Sequence, residues 1–215
     1  MEPVAVTAGA AGLAWGVLAD RIAARWPAHE DGSVRPADWR TVVVAAAGGL
    51  GFALLVDRFR AETASLVFLG LVVVALVLLF ATDLDQRLLP DVITFPLVGY
   101  ALVGFVAGLG PFVRTPDDLL WASIAGIGLP AILYLVSIPF GAGAIGIGDL
   151  KLLFGMALVV GAPRTLATVV VGAIAAAVGI ALLIALRRIT LKSYVPYGPF
   201  LIAGAMWAML AARPG

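Results

Sequence analysis

The chain has 215 residues, of which 62% are apolar and 13% are charged, and its mean hydropathy is +1.09. An ordinary soluble domain is about 45–50% apolar, so the composition excludes a soluble globular protein and predicts a membrane protein. A formal net charge of +1 gives no large basic field, which argues against nucleic acid as a partner.

Apolar runs separated by charged residues, proline or glycine predict an all-α fold, a polytopic bundle of about eight transmembrane helices. No basic segment precedes the first run, so we interpret it as a retained helix rather than a cleaved signal peptide. Two runs, 41–57 and 150–162, are short for a full crossing and require tilt or a thinner bilayer. In chain order the predicted helices are 4–20, 41–57, 63–82, 92–111, 118–140, 150–162, 165–186 and 197–212.

Alternate connections of such a bundle lie on the same side of the membrane, so Lys and Arg predict its orientation. One side carries nine of the 14 basic residues and the other side carries five. The positive-inside rule makes the first side cytoplasmic and places both termini outside. The nine residues are Arg21, Arg25, Arg35, Arg40, Arg87, Lys151, Arg187, Arg188 and Lys192.

The inventory of reactive side chains is narrow, because the chain contains no cysteine and one histidine, His29. This excludes disulfides, thiolate zinc sites, iron–sulfur ligation, a cysteine nucleophile and a Ser/His/Asp triad within the bilayer. We expect no metal and no other cofactor. His29 and its neighbours Glu30 and Asp31 are interpreted as a solvated loop.

Two acidic segments, 82–91 and 146–151, lie between apolar runs on the predicted cytoplasmic side. Asp83 is expected to close a helix at the membrane edge with its carboxylate turned toward the bundle, and Asp149 to begin the following helix. Two carboxyl groups that meet in a poorly solvated site do not both ionise easily, so they share one proton. Such a pair activates water against an amide. Asp149 taken alone is equally compatible with a helix N-cap.

The neighbouring residues have structural alternatives. Asp85 is interpreted as a solvated loop residue or a partner of Arg87, with contact to the substrate or support of the site as the alternative. Asp91 follows Pro90 and is interpreted as a helix cap.

In the second segment, Gly146 and Gly148 permit positive φ and close approach of another chain. Lys151 is interpreted as a snorkelling interface residue, or as a group that tunes Asp149.

Together these segments resemble the bacterial type IV prepilin peptidases, membrane-embedded aspartic proteases of the Gly-x-Gly-Asp type. The segment 196–201 is similar to the Pro-Phe-Gly-Pro stretch before that family's last helix, and 15–27 to its first helix. The likeness extends over nearly the whole chain. It implies that Asp83 and Asp149 are the catalytic pair. It also implies cleavage of a prepilin or pseudopilin leader on the cytoplasmic side, just after a glycine that precedes the hydrophobic helix of the substrate.

The sequence departs from the longer members of that family. Those members carry two cysteine pairs, associated with zinc, in an extended first cytoplasmic loop, and many methylate the new N-terminus using S-adenosylmethionine. Here that loop is short and has no cysteine. We therefore expect no zinc there, and a peptidase-only member. Its single domain, 1–215, then consists of a reduced N-terminal region, 1–60, and a catalytic core, 61–215.

The expected location is the bacterial inner membrane, with a prepilin-like protein and the lipid bilayer as partners. The main alternative is a small proton- or ion-coupled transporter, in which intramembrane carboxylates carry protons. Transport sites favour the bilayer midplane and helices broken in both halves of the chain, whereas the acids here lie at helix ends. A third alternative, an inert assembly subunit descended from such a peptidase, is disfavoured because both aspartates are present.

Overall fold

A computed structural model describes residues 3–29, 32–138, 146–188, 190 and 197–211, and these form eight α-helices without a strand. The expected all-α bundle is therefore confirmed. The helices are α1 (Pro3–Ala23), α2 (Trp39–Phe59), α3 (Thr63–Gln86), α4 (Asp91–Val106), α5 (Pro116–Ser137), α6 (Ile147–Val160), α7 (Ala162–Ala185) and α8 (Gly198–Leu210).

Five of the helices, α1, α2, α3, α5 and α7, are long and apolar enough to cross a membrane. The helices α4 and α8 are apolar but shorter. With 14 residues, α6 spans about 21 Å at 1.5 Å per residue, less than the roughly 30 Å of a hydrocarbon core. The chain is thus a multi-pass membrane protein in which the helices differ in length.

The predicted bounds differ most from the structure at the ends of α3 and α4. The sequence placed 83–86 in a loop, but α3 continues to Gln86 because the polar side chains of its last turn find partners inside the protein. Its end comes at Arg87, which adopts the left-handed conformation with φ 57°. The predicted end of α4 at 111 is five residues late, since Gly108 takes a positive φ of 65° just after Val106.

The centre of the bundle is α3, which contacts α1, α2, α4 and α8. Its apolar side chains at Leu69, Val72, Leu76 and Leu79 are fully buried. Large apolar residues of α5 and α7, such as Trp121 and Val178, are instead exposed on the outside of the bundle. Such a surface is suited to lipid rather than water.

The described helices form two groups. In the first group, α1 and α2 pack closely on each other and on α3. In the second, the mostly buried α6 lies against α4, α5 and α7. The last helix, α8, contacts α7 in the second group and α3 in the first, so it joins the two. The end of α3 and the beginning of α6 both lie beside the first residue of α8, where the two groups adjoin.

Candidate active site

Asp83 lies in the last turn of α3 and is 4% exposed. The backbone carbonyl of Asp83 accepts a hydrogen bond from the Arg87 N–H at 2.9 Å, which closes the helix. Its Oδ2 atom is buried and has no hydrogen-bond partner among the described residues. Burying an unpaired carboxylate oxygen is costly, so the position calls for a proton, a water or a substrate group.

Asp149 occupies the third position of α6 and is 8% exposed. Its Oδ2 accepts a hydrogen bond from the backbone N–H of Gly146, the N-cap residue, at 3.3 Å. The carboxylate therefore supports the beginning of the helix from inside its first turn, and its Oδ1 points elsewhere. The alternative of Asp149 as the N-cap residue is therefore wrong, since Gly146 holds that position and Asp149 supports it from the third residue of the helix.

The two carboxyl groups converge on Gly198, the first residue of α8. A Cβ atom added to Gly198 would overlap Oδ2 of Asp83 and lie 2.9 Å from Oδ1 of Asp149. The two oxygens are therefore no further apart than the roughly 5.5 Å that two hydrogen bonds to one water span. Only glycine leaves this space open, and the two carboxylates are close enough to interact electrostatically.

A cavity of about 270 Å³ opens beside these carboxylates. Its walls come from the turn after α3, the beginning of α6 and the beginning of α8, so all three chain segments contribute to one space. Its lining residues are Asp83, Arg87, Leu88, Leu89, Asp91, Gly146, Ile147, Gly148, Asp149, Tyr197 and Gly198.

Gly148, in the second acidic segment, lets two parts of the chain approach closely, but positive φ is not what its segment requires. The expectation of positive φ is wrong at Gly146, where φ is −69°, and neither Gly146 nor Gly148 is among the described glycines with positive φ. A Cβ on Gly148 would lie 2.9 Å from Cβ of Leu89, so its absence lets α6 begin directly against the turn after α3. The remainder of the glycine-rich loop, 141–145, lies outside the described residues.

Asp85 is neither a loop residue nor solvated, and the prediction for it is wrong. Its side chain is 1% exposed, forms ion pairs with Arg35 and with Arg40, the latter at 3.0 Å, and shares a hydrogen bond with His29 at 3.1 Å. The prediction failed because these partners are 45 to 56 positions away in sequence. His29 is likewise bound to Asp85 rather than solvated, while Glu30 and Asp31 lie outside the described residues.

Asp91 does not cap α4, because Pro90 is the N-cap residue and both carboxylate oxygens of Asp91 bind Nζ of Lys151, at 2.8 and 2.9 Å. The Lys151 ammonium also lies 4.8 Å from the ring centre of Phe95. Lys151 therefore ties α6 to α4, and its partner is Asp91 rather than Asp149.

Two features of the structure have no role in the predictions from the sequence, one in the site and one outside it. Gly198 and Tyr197 line the cavity. The sequence feature that could have indicated them is the Gly-Pro pair at the beginning of α8. Pro196, which precedes Tyr197, lies outside the described residues. Asp20, fully buried at the end of α1, binds Arg21, Arg35 and Thr41. An aspartate in an apolar helix is its only local signal.

No group of three or more His, Asp or Glu side chains within the described ranges is arranged to hold a metal ion. The fold and the site together define a multi-pass membrane protein in which two buried aspartates, Asp83 and Asp149, converge at one end of the bundle.

The comparisons with known proteins name the class. Residues 70–184, just over half of the chain, match the type IV leader peptidase family, and the chain belongs to this family. The matched region contains Asp83 and Asp149 and ends before Gly198. No solved structure matches the chain significantly.

The relatives of the chain include three proteins named prepilin leader peptidase/N-methyltransferase. The Pseudomonas aeruginosa protein is 28% identical over 128 residues, which cover 60% of this chain and 43% of that protein. The Pseudomonas putida protein is 29% identical over 153 residues, covering 71% and 52%. The Burkholderia pseudomallei protein is 31% identical over 141 residues, covering 65% and 45%. The chain spans about half the length of the curated relatives it matches.

Proposed function

We propose that the chain is an aspartic endopeptidase that removes the leader peptide of a prepilin-like membrane protein. The observation that carries this proposal is the convergence of Asp83 and Asp149 on the backbone of Gly198. Family membership and the names of the relatives supply the substrate class.

The chemistry follows from two carboxyl groups that share one proton. The ionised carboxylate takes a proton from a water held between the two groups, while the protonated carboxyl donates a hydrogen bond to the substrate carbonyl. The water oxygen adds to the carbonyl carbon and forms a tetrahedral intermediate. Transfer of a proton to the amide nitrogen then lets the C–N bond break, and the shared proton is restored.

The position of the pair suits a peptide that lies at the membrane surface. Asp83 is in the last turn of α3 and Asp149 in the first turn of α6, so both lie at one end of the bundle. The leader of a prepilin precedes its apolar helix and needs no unwinding within lipid before its amide is attacked. A transporter is less well supported, since its acids belong near the midplane.

We further propose that this end faces the cytoplasm, on the basis of the excess of Lys and Arg in its connections. The proposal includes peptidase activity without N-methylation, because the connection between α1 and α2 is short and the chain has no cysteine. The inner membrane of a bacterium is the corresponding location.

The test is leader cleavage of a prepilin from the same organism in membranes that contain the wild type, Asp83→Asn or Asp149→Asn. We expect cleavage by the wild type and its loss in both variants, because asparagine cannot exchange the proton. Asp117→Asn is the matched control, since Asp117 is exposed in the first turn of α5. Immunoblots check the amount of each protein.

Cleavage that persists in either dyad variant at wild-type rate would exclude this mechanism. An abundant, folded wild type that cuts no prepilin would instead exclude the substrate class.

A further inference from the structure

The two aspartates are held by different groups of helices. Asp83 belongs to α3, which packs on α1 and α2, whereas Asp149 belongs to α6, which packs on α4 and α5. In the described part of the chain α3 and α6 share very few contacts with each other. The distance between the carboxyl groups therefore depends on how each helix is fixed within its own group.

On α3 the fixing contact lies on the side opposite the candidate active site. Asp85 follows Asp83 by two residues, which places the two side chains about 200° apart around a helix that turns 100° per residue. Asp83 accordingly faces Gly198 of α8, while Asp85 faces the α1–α2 connection and binds Arg35.

Arg35 joins three elements through one guanidinium group. Its Nε donates to Asp85 of α3, one terminal nitrogen to Asp38, the N-cap residue of α2, and the other to Asp20 of α1. Asp20 also accepts a hydrogen bond from Thr41 at 2.6 Å. A planar guanidinium donates in fixed directions, so these bonds determine the relative positions of three helix ends.

Burial makes these bonds stronger and more specific than surface ion pairs. The side chain of Arg35 is 11% exposed, and those of Asp20 and Asp85 are 0% and 1% exposed. Solvent and salt screen such charges far less than exposed ones. Removing one partner leaves buried charges uncompensated, so the remaining groups have to rearrange.

We infer that Arg35 is a positioning residue, which fixes the last turn of α3 and thereby holds Asp83 in register with Asp149. The kinetic test of this inference rests on the proposed peptidase function, whereas the cross-linking test does not. The inference assigns a role in catalysis to the α1–α2 connection, which lies outside the region 70–184 matched by the family.

The kinetic test compares Arg35→Gln with the wild type by measuring kcat and KM of leader cleavage per mole of folded protein in detergent. We expect kcat to fall about 10- to 100-fold with KM within about twofold, because a displaced carboxyl impairs chemistry more than binding. Arg25→Gln is the matched control, since Arg25 belongs to the same connection and its side chain donates, among the bonds described, only to the carbonyl oxygen of Arg21 at 2.8 Å. It should retain wild-type kcat.

A second measurement reports the relative position of α3 and α6 and does not depend on leader cleavage. The chain has no cysteine, so Leu88→Cys and Ile147→Cys introduce a single pair on the walls of the same cavity. Both residues are exposed, at 47% and 68%. We expect the rate of cross-linking by a short bis-maleimide to change in the Arg35→Gln background and to stay unchanged in the Arg25→Gln background.

The outcomes separate the inference from the proposed function. A folded Arg35→Gln protein with unchanged kcat and cross-linking would overturn the positioning role. A wild type that cuts no prepilin would refute the function, while the cross-linking rate would still decide the positioning role. If Arg35→Gln does not fold, Arg35→Lys replaces it as the test. Lysine keeps the positive charge but lacks the planar guanidinium that donates to three partners, so a reduced kcat is then expected. Failure of both variants to fold would overturn the inference in favour of a purely stabilising role.

Discussion

The space at Gly198 offers the most direct test of the site, because one methyl group would occupy the region between the two carboxyl groups. In Gly198→Ala the new Cβ would lie 2.8 Å from Cγ of Asp83 and 2.9 Å from Oδ1 of Asp149, whereas ordinary van der Waals contacts begin at 3.4 Å. Asp149 has to move by about 0.5 Å and Asp83, whose Oδ2 would overlap the new Cβ, by more, so their separation grows by at least roughly 1 Å.

A displacement of this size has a large kinetic effect and a small effect on stability. Misplacing a reacting group by about 1 Å costs on the order of 100-fold in rate, so we expect kcat of leader cleavage to fall about 100-fold. Overpacking costs about 1–3 kcal/mol, and the lower chain entropy of alanine offsets about 0.4–1 kcal/mol of this. Thermal unfolding in detergent should therefore show a modest change.

Gly99→Ala is the matched control, since a Cβ at Gly99 in α4 meets no described atom within 4 Å. We expect it to keep wild-type kcat and to gain up to about 1 kcal/mol of helix stability. A folded Gly198→Ala protein that cleaves within about threefold of the wild type would show that the carboxyl groups do not act together at this point.

Two other predictions concern the shared proton and the helix contacts. Leader cleavage measured over roughly pH 4 to 9 should follow a bell-shaped curve, because both aspartates are protonated at the acidic end and both are ionised at the basic end. A flat profile would contradict the dyad. Gly12→Ala should destabilise the protein by about 1–3 kcal/mol in thermal unfolding, since its Cβ would overlap the carbonyl oxygen of Gly48 where α1 crosses α2. Gly128→Ala, with open space around its Cβ, should gain up to about 1 kcal/mol, as Gly99→Ala should, and equal stability of Gly12→Ala and Gly128→Ala would refute the close crossing.

The predictions for Asp85 and Asp91 fail for the same reason. The polar neighbours of Asp85 in the sequence predict a solvated side chain, yet Arg35 and Arg40 bind it from the α1–α2 connection. Asp91 follows a proline at the beginning of a helix, which is typical of a cap, yet Lys151 from α6 binds it. In both cases a charged partner distant in the sequence replaced the local interaction that the pattern predicts.

The N-cap alternative for Asp149 is wrong, because Gly146 is the N-cap residue of α6 and Asp149 is the third residue of the helix. One oxygen of Asp149 accepts a hydrogen bond from the Gly146 N–H. The other oxygen faces Gly198 and Asp83. The catalytic roles of Asp83 and Asp149 stay a prediction, as does the division of the chain at residue 60.

The sequence by itself determined the membrane class, the number of helices and the location of the acidic residues at helix ends. These properties depend on local composition, because a backbone in lipid has to satisfy its hydrogen bonds within each helix. Tertiary structure alone decided that Asp83 and Asp149 meet at Gly198 and that Arg35 joins three helix ends. These contacts arise from the packing of helices that are far apart in the chain, and local periodicity carries no information about such packing.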